Sequence, residues 1–85
     1  MSYTVIWVPV AENRLADTWL AAPDRAAVTR AAHLIDQDLA HNPYARGFPR
    51  NASVNRTAVE YPLGVEYEII EDDKTVRVLT VWSLV

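Results

Sequence analysis

The 85-residue sequence predicts an α+β domain of order β-α-α-β-β-β, an αα-hairpin packed on a small, mainly antiparallel sheet. Three observations carry this. The chain opens on a β-branched and aromatic run, Tyr3 to Val10. Val28, Ala31, Ala32, Ile35 and Leu39 then recur at helical spacing. The last third reads as two strands, Val65 to Ile70 and Thr75 to Trp82, joined at the acidic turn Glu71-Asp72-Asp73-Lys74.

In the first strand Tyr3, Val5 and Trp7 point one way and Ile6, Val8 and Val10 the other. Both faces are apolar, so each is expected to be covered. Pro9 cannot donate to a ladder and is expected near the strand's end or on an edge. Glu12 to Leu20 reads as a short helix, with Leu15 and Trp19 on one face. Pro23 suits the first position of a second helix that runs to about Ala40, with Asp24 favourable to its dipole. Arg25, Thr29, His33, Asp36 and Gln37 fall on its polar side, and Asn42-Pro43 ends it. The many alanines allow close helix packing. Pro43 to Arg56 has the turn residues of a loop, Thr57 to Tyr61 is a short strand, and Pro62-Leu63-Gly64 turns the chain. The first strand is expected at a sheet edge or beside the last strand. No repeat, linker or second domain is visible, so residues 1–85 form a single domain.

Composition narrows the function classes. A chain of this length buries only ~60% of its unfolded surface, yet 51% of its residues are hydrophobic. Some of that apolar surface is expected to serve a partner or a second copy. The net charge of −3 argues against a generally basic nucleic-acid binder. No cysteine is present, so disulfides and thiolate zinc sites are excluded. No apolar run approaches the ~20 residues of a membrane span. Residues 1–10 show neither a basic leader nor a small-residue cleavage site, so a cytoplasmic, membrane-free protein is expected.

Four groups of residues could carry chemistry. Between Asp38 and Glu60 there is no acid, while Arg46, Arg50 and Arg56 make a basic island. Arginine is shaped to grip phosphate in a bidentate manner, and Tyr44 and Phe48, interleaved with these arginines, could stack on bases. The competing readings are a solvated loop and contact with an acidic protein partner. Arg77 lies in mid-strand and either pairs with Glu66 or Glu68 on the neighbouring strand or faces an open groove. His33 and His41 have no metal-ligand spacing and read as structural, so neither metal nor cofactor is expected. The acids Glu66, Glu68, Glu71, Asp72 and Asp73 read mainly as a solvated hairpin tip, with acid–base or cation-binding roles as the rival.

Ala40-His41-Asn42-Pro43 leading to Gly47 and Arg50, then Pro62 to Ile69, then Asp73 to Trp82, together with the element order, resemble the RelE/ParE superfamily of bacterial toxins. These belong to type II toxin–antitoxin modules and are often described as plasmid stabilisation proteins. The resemblance implies a cognate antitoxin that wraps the toxin with a helix and often an added strand. In the ribosome-dependent branch it implies cleavage of mRNA, in which basic residues hold the phosphates and the ribose 2′-OH attacks the adjacent phosphodiester without a metal. In the other branch it implies binding to gyrase.

Carried over by position, Arg50, Arg56 and Arg77 become candidate catalytic residues for phosphate or charge stabilisation, and Arg46, Tyr44 and Phe48 candidate RNA contacts. An RNA-cutting enzyme needs the three arginines to line one cleft. Arginine does not act as an ordinary general base, Ser83 shows no base to activate it, and Tyr61 and Tyr67 are poor bases near neutral pH. The alternative is a non-enzymatic protein-binding module with an exposed apolar surface on the sheet or the helical hairpin. A third reading is a self-associating domain with an apolar homodimer interface.

Overall fold

A computed structural model of the chain describes residues 2–45, 48–49 and 55–85, with residues 48–49 as backbone. The order is β1 (Thr4–Trp7), α1 (Pro9–Ala21), α2 (Arg25–His41), β2 (Phe48–Pro49), β3 (Asn55–Glu60), β4 (Leu63–Ile70), a single 3-10 turn (Glu71–Asp73) and β5 (Thr75–Ser83). The expected β-α-α-β-β-β order therefore holds, with one extra two-residue strand. The sheet runs β1-β5-β4-β3-β2. Only the β1–β5 pairing is parallel, and the rest are antiparallel. β1 is thus both an edge and the neighbour of the last strand.

The first strand ends sooner than its composition suggests. Pro9 occupies the start of α1, where its fixed φ suits a helix and its missing N–H has no bond to lose. Val10 consequently joins the helix, with 59% of its surface exposed. Tyr3, Val5 and Trp7 pack against the core, but Ile6 on the other face is 47% exposed, so only one face of β1 is covered. At α2, Asp24 is the N-cap, not a first-turn residue, and its carboxylate accepts the Ala27 N–H at 3.1 Å. Such a cap is worth about 0.5–2 kcal/mol.

Both helices lie on one face of the sheet. The core joins Ala11 of α1 and Val28, Ala31, Ile35 and Leu39 of α2 to Ala58, Leu63, Val65, Tyr67, Val76, Val78 and Val81. Each large aliphatic buried there contributes about 1.5–3 kcal/mol over exposure.

β5 departs from plain alternation. Strict period two would put Val76, Val78, Thr80 and Trp82 on one face. The register instead slips between Glu66 and Tyr67 of β4: Glu66 faces Thr80 and Tyr67 faces Val78, leaving Leu79 as an extra residue. The bulge returns Val81 to the core and turns Trp82 to the open face, beside Gly64. Arg77, Glu66 and Glu68 share that open face with it.

Candidate functional site

Three places bring together the chain's polar or exposed apolar groups. The first is a corner where the end of α2 meets β3 and the β4–β5 turn. Tyr67 is fully buried, and its hydroxyl donates to the Pro43 carbonyl at 2.8 Å. That bond fixes the chain as it leaves α2. Arg56, opposite Tyr67 across the β3–β4 pair, donates to the Tyr67 hydroxyl at 3.4 Å and to the Tyr44 carbonyl at 3.3 Å. Its guanidinium stands 5.9 Å over the Tyr44 ring.

Glu71 is the hub of this corner. It accepts the hydroxyls of Tyr44 at 2.8 Å and Tyr3 at 3.0 Å, and it pairs with Lys74. The Tyr3 and Tyr44 rings meet edge to face at 6.5 Å. The bonds from Lys74, then Tyr44, then Tyr3 hold the Glu71 carboxyl below its ordinary pKa. In return the bond to Glu71 raises Tyr44 and Lys74, and desolvation followed by the same bond raises Tyr3. The carboxylate is kept ionised and the phenols protonated. The corner therefore supplies hydrogen bonds and charge at neutral pH, and neither tyrosine is poised to take a proton.

The second place is the open face of the sheet. Arg77 donates to Glu68 at 2.7 Å, with 45% and 21% of the two side chains exposed. Asn55 donates to Glu66 at 2.8 Å. Glu68 directly faces Arg77 across the β4–β5 pair, whereas Arg56 shares the helix-covered side with Tyr67. Arg56 and Arg77 thus sit on opposite faces of the sheet. Arg46, Arg50 and the Phe48 side chain lie outside the described residues. Of the residues singled out in the sequence, the fold brings Tyr44 and Arg56 together and keeps Arg77 apart. The Ser83 hydroxyl is engaged with the Val85 backbone.

The third place was not legible as a site. The alanines do not close the helical hairpin. A groove of about 540 Å³ opens between α1 and α2, floored by Leu15, Val28 and Ala32 and walled by Glu12, Ala16, Trp19, Leu20 and Thr29. Trp19 is held at its rim: its indole N–H donates to the Thr29 hydroxyl at 3.1 Å, and the Arg25 guanidinium lies 4.8 Å over the ring. Arg25 also donates to the Trp19 and Leu20 carbonyls, closing the end of α1. Leu20 remains 60% exposed. The signal in the sequence is Leu20, which at 3.6 residues per turn lies about 140° around the helix from Leu15, outside the stripe that Leu15 and Trp19 share. Among the described residues no cluster of histidines and acids has the makings of a metal site, and no helix is long and apolar enough to cross a membrane.

No protein-family model matches the chain, and no curated protein matches it significantly in sequence. Solved structures do match it in fold. A chain of the toxin–antitoxin complex RelBE2 from Mycobacterium tuberculosis superposes with a TM-score of 0.81 at 24% identity, covering 98% of this chain and 99% of that one. A chain of the archaeal RelE–RelB complex from Pyrococcus horikoshii gives 0.70 at 18% identity, over 99% and 97%. A chain of the chromosomal ParDE system from Pseudomonas aeruginosa gives 0.66 at 15% identity, over 99% and 98%. The chain has the RelE/ParE-like fold over essentially its whole length.

Proposed function

We propose that the chain is the toxin-type component of a bacterial type II toxin–antitoxin module, acting in the cytoplasm and neutralised by a cognate antitoxin. The observation that carries this is the end-to-end match of fold to chains of three toxin–antitoxin assemblies. The α1–α2 groove is where the antitoxin docks. An open, almost wholly apolar channel with a fixed tryptophan at its rim suits the apolar face of an amphipathic helix. Its action on the cell is by protein contact. The opposite placement of Arg56 and Arg77, and the bond tying Arg77 to Glu68, support this over RNA cleavage.

The test is a titration of the purified chain with the product of the adjacent reading frame. Saturable binding that Leu20→Asp abolishes, with the fold intact by circular dichroism, supports the reading. Binding indifferent to that substitution moves the docking surface elsewhere.

One observation favours a second reading. Arg56 over Tyr44 places a cation beside an aromatic face at the base of the arginine loop. In this reading Arg46, Arg50 and Arg56 grip phosphate and Tyr44 and Phe48 stack on bases, while Arg77, on the other face of the sheet, takes no part. Primer extension on translated mRNA separates the two. New 5′ ends that vanish with Arg56→Ala would establish cleavage, and unchanged transcripts would leave protein contact.

A further inference from the structure

β5 spans nine residues, Thr75 to Ser83, but β1 pairs with only four of them, Thr75 to Val78. The last bond on that side is from the Val8 N–H to the Val78 carbonyl at 3.1 Å. Beyond it the chain leaves the sheet to become α1, and among the described residues no strand lies beside the edge of β5 from Leu79 to Ser83. The Leu84 N–H turns inward to the Pro62 carbonyl at 2.9 Å. Strand alternation therefore turns the backbone groups of Ser83 and Val81 outward, along the open edge. Unpaired edges of this kind are templates for another strand.

The helix beside that edge carries a matching pattern. A cleft of about 460 Å³ is lined by Arg14, Asp17 and Thr18 of α1 and by Val81, Trp82 and Ser83 of β5. Val10, Arg14, Asp17 and Ala21 recur at i, i+4, i+7 and i+11, so they form one stripe. All four are exposed, and neither Arg14 nor Asp17 has a hydrogen bond or ion pair among the described residues. The stripe reads apolar, positive, negative, apolar. Laid antiparallel against itself, it sets Arg14 against the partner's Asp17 and Val10 against the partner's Ala21.

We propose that this face joins two copies of the chain about a two-fold axis, by antiparallel pairing of the β5 edges with the two α1 stripes side by side. An axis normal to the sheet pairs Val81 with the partner's Val81 and keeps both helices on one face. It makes one continuous sheet from two, removing an open edge from each. The charge pattern selects this occupant, since a stripe that complements its own reverse is what an isologous contact requires. The groove between α1 and α2 lies on the other side of α1 and stays free in the dimer, so this inference does not depend on the proposed function.

Analytical ultracentrifugation over a concentration series tests it with three chains: wild type, Arg14→Asp and Asp17→Arg. The wild type should sediment at twice its 9.6 kDa mass. Each single reversal sets like charges against each other and should be monomeric. An equimolar mixture of the two variants should regain the dimer, because every contact then joins opposite charges. That recovery also shows both variants folded. A monomeric wild type, single variants that still dimerise, or a mixture that stays monomeric would each overturn the proposal.

Discussion

Trp82 lies across Gly64. The two face each other in the β4–β5 pair, and a β-carbon built on Gly64 would come within 2.5 Å of the indole. Gly64 is thereby buried on the otherwise open face of the sheet, under a half-buried ring. The bulge at Leu79 is what brings Trp82 to this face.

Gly64→Ala must therefore push the indole off the sheet. Overpacking of this kind costs about 1–3 kcal/mol. Trp82→Ala removes the obstacle, so adding Gly64→Ala in that background should cost little. Urea denaturation of the two single variants and the double variant measures the coupling. Equal costs of Gly64→Ala in both backgrounds would show that the ring is not what requires glycine.

The Glu71 hub gives stability a pH dependence on both sides of neutrality. Lys74, Tyr44 and Tyr3 lower the folded pKa of Glu71, so its contribution is present above the ordinary carboxylate range and is lost as pH falls through the folded value. Tyr44, Tyr3 and Lys74 are raised, so theirs is complete below their ordinary values and is lost as pH rises through the folded ones. Glu71→Gln should lower the melting temperature most near neutral pH and flatten both limbs of the profile. A variant profile that merely runs parallel to the wild type would mean the hub does not titrate in this way.

The Arg77–Glu68 pair is partly exposed and should add only about 0.2–1 kcal/mol. Arg77→Ala should be mild, and its cost should shrink as salt rises, since screening already weakens the pair in the wild type. Urea midpoints at low and high ionic strength read this. A large, salt-independent loss would mean that Arg77 acts through packing.

The buried stripe of α2 was legible because five apolar residues at one spacing leave a helix a single way to face the core. The closing hairpin was legible because β-branched runs flank a polar turn. Pro9 misled because a proline after β-branched residues fits a strand's last position as well as a helix's first. The β5 bulge was illegible because Leu79, Thr80 and Val81 can each take either face, so alternation alone carries no sign of the slip. Charge alone groups Arg56 with Arg77, and only strand register puts them on opposite faces. In the sequence Glu71 reads as a solvated tip because its partners Tyr3 and Tyr44 are remote along the chain. The groove depended on how far two helices splay, and alanine content does not set that.

Growth after induction in a bacterial host, with and without co-expression of the adjacent reading frame, tests the proposed toxin–antitoxin role most directly. The wild type should arrest growth, and co-expression should restore it. Leu20→Asp should arrest growth alone and escape restoration, because the substitution alters the groove proposed to receive the antitoxin. An induced chain that leaves growth unchanged, or a Leu20→Asp variant neutralised as fully as the wild type, would contradict it.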